Sequence, residues 1–264
     1  MYPILLKIGP LPIHTYGFLI AVGFITSLFF MRRDAVKASI DPDFVSDTAF
    51  WVLLLGLAGT RVLHIIMYRH EYSWQDPIGW LAVWRGGLVF QGALPPAIAY
   101  CFYVLQKKHI NPWRFADVVC PYIPLGHAFG RLGCFCYGCC YGKRTDSLLG
   151  IPFRRVPFDL TIPAEGSPAF LDHAQRYGLP ADAQWSYPVH PTQLYEVVLL
   201  LAILTVLLLA RSRWLPFSGF TLPAYLGLYG TGRFLIEFVR GDHNPRYLGV
   251  LSGQQLFCLI VLMI

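Results

Sequence analysis

Between Gly126 and Gly142 the chain reads Gly-His-Ala-Phe-Gly-Arg-Leu-Gly-Cys-Phe-Cys-Tyr-Gly-Cys-Cys-Tyr-Gly, so Arg131 and His127 close an apolar segment and four of the seven cysteines follow at once. A second set of reactive side chains, Tyr229, Arg233 and Glu237, recurs at every fourth position of Tyr-Gly-Thr-Gly-Arg-Phe-Leu-Ile-Glu. On a helix that spacing makes one polar stripe, with Arg233 and Glu237 able to pair directly. Guanidinium groups in apolar surroundings are costly unless they face a partner or a ligand. Arg61, Arg85, Arg131 and Arg233 all carry that cost, and Glu196 and Glu237 are the obvious carboxylates in the same apolar segments. Two carboxylates leave guanidinium charge unmatched, and the surplus points to an anionic ligand, most simply a phosphate held by two parallel N–H···O bonds. For Arg61 and Arg85, snorkelling to an interface or bonding to backbone carbonyls is an equally open reading.

The elements that must position these residues are membrane helices. The chain of 264 residues is 55% hydrophobic and only 14% charged, with a mean hydropathy of +0.49. That is too little charge to cover a soluble protein of this size. Residues 86–106, 214–232 and 247–264 contain no Asp, Glu, Lys or Arg, and each is long enough to cross about 30 Å of hydrocarbon as a helix. The expected fold is an all-α membrane protein of about seven transmembrane helices, near 14–31, 47–68, 86–106, 115–131, 190–210, 218–239 and 247–264. It forms a single polytopic membrane domain over residues 1–264.

The segments following the first, third and fifth spans hold Arg32, Arg33, Lys37, Lys107, Lys108, Arg114, Arg211 and Arg213. Basic loops face the cytoplasm. The N-terminus and a periplasmic-side loop subdomain at 142–189 are therefore expected outside, and the C-terminus in the cytoplasm. The first span lacks a basic flank and a small-residue cleavage site, so it is expected to be a retained helix. The net charge of +6 is spread over membrane flanks, which suits a lipid bilayer surface and argues against nucleic acid.

Other polar residues are placed at helix mouths. His190 opens His-Pro-Thr-Gln-Leu-Tyr-Glu at the fifth span, and Tyr16 lies in His-Thr-Tyr-Gly at the first. Either could be a helix cap or an interfacial aromatic. Cys134, Cys136, Cys139 and Cys140 fall within seven residues. So tight a cluster makes a poor tetrahedral cage unless His127 or His190 joins it, so small buried thiols are expected, and neither a metal nor a cofactor.

Five ordered motifs, His-Thr-Tyr-Gly at 14–17, Gly-Gly-Leu-Val-Phe-Gln-Gly at 86–92, Gly-Arg-Leu-Gly at 130–133 with Gly142, His-Pro-Thr-Gln-Leu-Tyr-Glu at 190–196, and Tyr-Gly-Thr-Gly-Arg-Phe-Leu-Ile-Glu-Phe-Val-Arg at 229–240, resemble the prolipoprotein diacylglyceryl transferase family. The resemblance implies an enzyme of the bacterial cytoplasmic (inner) membrane that moves the diacylglyceryl group of phosphatidylglycerol onto the lipobox cysteine of prolipoprotein signal peptides. It maps the family's essential arginines onto Arg131 and Arg233, its tyrosines onto Tyr16 and Tyr229, and its acidic partner onto Glu237. Gln91, Gly92, Gly133, Gly142, His190 and Arg240 are then candidate substrate-binding residues.

The departures are equally specific. Gln91-Gly92-Ala93 stands where better-known members carry His-Gly-Gly, and Cys134, Tyr137 and Cys139 stand where they have Asn, Asn and Glu. Glutamine cannot accept a proton at working pH, so a base at that position is in doubt, leaving His127 to be weighed as a base or as a satisfied core histidine. Two other classes compete: a non-catalytic phospholipid-binding paralogue, and a redox or metal membrane protein built on residues 134–140.

Overall fold

A computed structural model describes residues 3–8, 11–72, 79–80, 87, 89–155, 157–159, 162–180, 182–213, 217–242, 246–247 and 251–263. The described chain is mainly helical. After an antiparallel strand pair, β1 (Ile4–Ile8) and β2 (Leu11–His14), come α1 (Thr15–Lys37), α2 (Pro42–Met67), α3 (Leu94–Lys107), α4 (Pro112–Val119) and α5 (Ile123–Tyr137). Strands β3 (Pro157–Asp159) and β4 (Ile162–Glu165) precede α6 (Pro168–Tyr177), α7 (Thr192–Arg213) and α8 (Thr221–Glu237); β5 (Arg246–Tyr247) and β6 (Leu251–Ser252) lead into α9 (Gly253–Met263).

Among the described residues, three helices are long and apolar enough to cross a membrane: Thr15–Lys37, Pro42–Met67 and Thr192–Ser212. Their surfaces are inverted relative to a water-soluble fold. On α7, Val198 is 69% exposed and Glu196 1%, the arrangement expected where hydrocarbon surrounds the helix and polar groups must turn inward.

Prolines explain where helices depart from the expected spans. The segment expected at 115–131 breaks into α4, a 3-10 turn Cys120–Tyr122 and α5, because Pro121 and Pro124 each remove an amide donor. The third begins only at Leu94, where prolines are tolerated in the first turn. The last shortens to α9, whose start is a reciprocal cap: Ser252 N donates to Gln255 Oε1 over 3.0 Å and Gln255 N to Ser252 Oγ over 3.2 Å.

The residues group into two compact units, 1–27 with 119–264, and 28–118. In the first, α5 packs on α7, α7 on α8 and α8 on α9. Ala128, Val197 and Leu200 form one core cluster with Leu132 and Tyr229 against it, and Ile203, Leu207 and Tyr225 form the next. The connection between α5 and α7 has its own core of Tyr141, Phe153, Ala169 and Val189. There α6 is capped by Ser167, whose hydroxyl accepts from Phe170 N, and Arg144 lies 4.1 Å over the Tyr187 ring. Burial holds the His173 imidazole below its ordinary pKa, so it is neutral within this core.

In the second unit α2 packs on α3 and on the 3-10 turn Phe90–Ala93. A methyl group on Gly59 would clash with the Gly92 carbonyl oxygen, and one on Gly92 with the Gly59 carbonyl oxygen. Backbones this close require glycine on both sides. Gly59→Ala is therefore expected to destabilise the detergent-solubilised protein by about 1–3 kcal/mol. Gly227→Ala, where an added methyl meets nothing within 4 Å, should leave the thermal unfolding midpoint unchanged or slightly higher.

Candidate functional site

The polar stripes of three helices meet inside the first unit. Arg131 and His127 stand on α5, Glu196 on the second turn of α7, and Tyr229, Arg233 and Glu237 on α8. Glu196 is central. Its Oε2 lies 2.8 Å from Arg131 Nε and its Oε1 3.5 Å from Arg233 Nε, and the Tyr229 hydroxyl donates to Oε2 over 3.4 Å. Arg233 Nη1 donates to Glu237 Oε2 over 2.6 Å. Glu237 Oε1 in turn accepts from Ser252 Oγ over 2.7 Å, which ties the stripe to the cap of α9.

The chain of charges continues past α8. Arg240 bonds Asp242 through Nε, at 2.8 Å, and through Nη2, and its Nε is 3.8 Å from Glu237 Oε2. Arg131, Arg233 and Arg240 are thus matched by Glu196, Glu237 and Asp242. Asp242 lies beyond the helix and pairs Arg240, a cation outside the expected count of four guanidiniums, so that count still rests on Arg61 and Arg85. In the second unit Arg61 Nε and Nη1 each donate over 3.0 Å, to the Trp80 and Gly87 carbonyls, and the guanidinium sits 5.2 Å from the Tyr72 ring centre. Its carbonyl-bonded reading holds. Arg85 lies outside the described residues.

What remains is a difference in exposure. Arg131 spends its Nε on Glu196 and on His127 Nε2, which accepts over 3.3 Å. Its side chain keeps 16% exposure. Arg233 is fully enclosed at 3%. Of the two arginines that share Glu196, Arg131 is thus the more exposed. His127 has its accepting nitrogen occupied and its ring edge-on to Tyr229 at 5.1 Å, the geometry of a satisfied core histidine.

The other expected residues fall into two sets. Tyr16 at the start of α1 lies on the Gly133 backbone, where an added methyl would sit 2.7 Å from the ring, so Gly133 is what lets that tyrosine lie flat on α5. Gly142 N donates to the His190 carbonyl over 2.9 Å and the same residue bridges Arg240, so Gly142 ties the entrance of α7 to the end of α8. His190 Nδ1 is 3.1 Å from the Tyr195 hydroxyl. Gln91 and Gly92 belong to the second unit: Gln91 is exposed on its 3-10 turn, and Gly92 is buried against Gly59.

The cysteines give a result that spacing did not foresee. Gly138, at φ +81°, ends α5 in the left-handed conformation, Cys139 N donates back to the Cys134 carbonyl over 3.2 Å, and Cys140 follows at φ +61°. This turn folds the chain onto the last turn of α5 and brings the sulfurs of Cys134, Cys139 and Cys140 within 4.8 Å of one another. Gln193 Nε2 and Thr192 Oγ1, on the first turn of α7, donate to the Cys139 and Cys140 carbonyls, each over 2.6 Å. Asp242 and this turn are absent from the expected site, and Glu196 was expected there only as a carboxylate partner for the arginines. The Ser-x-x-Gln cap before α9 and the acidic residue two positions beyond Arg240 are the signals that could have found the anchoring of Glu237 and the partner of Arg240.

Fold and site together define a helical membrane protein with an arginine–carboxylate chain buried between apolar helices. The family model described as prolipoprotein diacylglyceryl transferase matches residues 3–264. Among similar proteins named phosphatidylglycerol–prolipoprotein diacylglyceryl transferase, that of Geobacter sulfurreducens is 32% identical over 95% of this chain and 86% of its own. The one from Stenotrophomonas maltophilia is 32% identical over 93% and 82%, and the one from Clostridium tetani 29% over 100% and 95%. The chain belongs to the prolipoprotein diacylglyceryl transferase family.

Removing the central carboxylate leaves the buried Arg131 without its ion-pair partner and Arg233 with Glu237 alone. Glu196→Ala is expected to cost about 3–5 kcal/mol of stability. In the double variant Glu196→Leu/Arg131→Leu, Arg233 keeps Glu237, so a double-mutant cycle read by denaturant or thermal unfolding should recover much of that loss.

Proposed function

We propose that this protein transfers the diacylglyceryl group of phosphatidylglycerol to the lipobox cysteine thiol of prolipoproteins and releases glycerol phosphate. The observation that carries the reading is the partly exposed Arg131, braced by Glu196, in a chain that matches the transferase family from residue 3 to residue 264. In the reaction a thiolate attacks the glycerol carbon bonded to the phosphate oxygen. A C–S bond forms, the C–O bond breaks, and its electron pair leaves on a phosphate monoester. Charge grows on that phosphate in the transition state, and a preorganised guanidinium stabilises it more there than in the ground state.

The residues then take distinct parts. Arg131 receives the phosphate. Glu196, Arg233 and Glu237 hold Arg131 in place and carry its charge balance into the bundle, with Tyr229 bonded to the shared carboxylate. Tyr16 and Gly133 shape the wall beside Arg131, and Gly142, His190 and Arg240 knit the mouth of the site. Gln91 and Gly92 are assigned to substrate through their motif alone. We read the chain as a seven-span protein of the bacterial cytoplasmic membrane, with its N-terminus and the 142–189 loop outside and its C-terminus inside, as the basic loops support.

The second reading, a phospholipid-binding relative without catalysis, is favoured by Gln91 where the family resemblance expects a histidine. Purified protein incubated with phosphatidylglycerol and a lipobox peptide separates the two. The transferase adds a diacylglyceryl mass to the peptide and releases glycerol phosphate; a binding protein leaves the peptide unchanged. Arg131→Ala and Arg233→Ala are expected to lose at least about a hundredfold of that rate, whereas Gln91→Ala only weakens it. Wild-type turnover by Arg131→Ala contradicts the arginine assignment.

A further inference from the structure

A thiol is mostly protonated near neutrality, since its ordinary pKa is about 8.5, and the proposed reaction needs it as thiolate. Within the first unit the candidate bases are engaged. His127 Nε2 accepts from Arg131, His190 Nδ1 is bonded to Tyr195, and Glu196 and Glu237 sit in ion pairs. Beside Arg131 the structure offers another means of making a thiolate: the three sulfurs of Cys134, Cys139 and Cys140.

We propose that Cys134, Cys139 and Cys140 form a three-thiolate site for one zinc ion, whose fourth coordination position receives the incoming cysteine thiol of the acceptor peptide. The proposal rests on the transferase reading for the identity of that fourth ligand, and on geometry for the rest. Zinc–sulfur bonds of about 2.3 Å set tetrahedral sulfurs about 3.8 Å apart, so three sulfurs already within 4.8 Å need only a small closure. All three thiols are free. The turn that gathers them is held at both carbonyls by Gln193 and Thr192, and the left-handed conformation of Cys140, a non-glycine residue, is a strain that the surroundings must sustain. No histidine or carboxylate joins the group among the described residues, which is the composition of a site with three protein ligands and one open place. The buried Oε1 of Gln193 has no partner there, and an amide donor from a docked peptide would satisfy it.

Charge also balances. Zinc binding releases three protons from the thiols and leaves a net single negative charge, beside the guanidiniums of Arg131 and Arg240, both of which act electrostatically on Cys140. The acceptor thiol loses its proton to solvent on binding the metal. Its sulfur electron pair then forms the C–S bond, the C–O electron pair departs with glycerol phosphate, and zinc stays divalent throughout.

The test uses full-length protein in detergent, reconstituted with zinc or with cadmium as a spectroscopic probe. The expected result is one metal per chain by elemental analysis, together with a cadmium–thiolate charge-transfer band. Both should be lost in Cys139→Ser and Cys140→Ser and kept in Cys136→Ser, which lies outside the group. A lipobox peptide should strengthen the band, and the same peptide with serine in place of cysteine should not. Chelated enzyme should lose at least about a hundredfold in transfer rate, the size of a general-base contribution, and regain it with zinc. A wild type that binds no metal, or that holds a disulfide among these cysteines, overturns the site. Full transfer by chelated enzyme overturns its part in thiol activation. One bound zinc and a peptide-responsive band without transfer leaves the site standing and overturns the proposed function instead.

Discussion

The placement of Glu196 between Arg131 and Arg233 is the constraint on which the rest of this structure depends. A guanidinium taken out of water loses several kcal/mol of solvation, and attraction to a buried carboxylate returns that only if the geometry is good and the remaining protons are bonded. The two arginines come from different helices, α5 and α8, so the carboxylate must come from a third that touches both. Helix α7 is that element, and it carries almost nothing else polar beyond its first two turns. Ala128, Val197 and Leu200 close the three helices around the pairing, so apolar packing and the ion pairs specify the same arrangement.

The same requirement spreads outward. Arg233 engages Glu237, Glu237 is fixed by the Ser252 cap of α9, and Arg240 with Asp242 extends the alternation to the mouth, where Gly142 lets the loop backbone pass against His190 and Arg240. Along this chain Arg131, Arg233 and Arg240 each meet a carboxylate. Arg131 sets its Nε against Glu196 and keeps part of its side chain exposed, so in the proposed reaction a phosphate would meet a guanidinium already held in place. Preorganisation of this kind lowers the reorganisation needed when charge develops in a transition state.

Much of this was legible in the sequence, for physical reasons that can be named. The charge-free runs each hold a helix, α3, α8 and α9, although the described helices of membrane length, α1, α2 and α7, lie elsewhere, and the four-residue spacing of Tyr229, Arg233 and Glu237 announced one polar face, because lipid leaves few other uses for such residues. Arginine in apolar sequence announced Arg131. The unread parts depend on where the chain bends. Asp242 balances Arg240 from outside any span. Cys134 meets Cys139 and Cys140 because Gly138 and Cys140 turn left-handed, and a count of residues along a straight helix would separate them. Pro121 breaks a span that hydropathy alone draws as continuous. Gln91 and Gly92 carry a family motif yet lie in the other compact unit, and the reciprocal carbonyl contact of Gly59 and Gly92 is a packing demand that no local pattern reveals.

The central claim is that Arg131, held by Glu196, recognises the phosphate of an anionic headgroup. It is tested most directly by equilibrium binding of phosphatidylglycerol against a net-neutral phosphatidylcholine of the same acyl chains, in wild type and in Arg131→Gln. The account predicts that wild type prefers the anionic lipid and that the substitution weakens its binding by roughly tenfold to a hundredfold, the equivalent of losing about 1.5–3 kcal/mol from a charge-assisted bond, with the neutral lipid unaffected. An undiminished preference for phosphatidylglycerol in Arg131→Gln would contradict it.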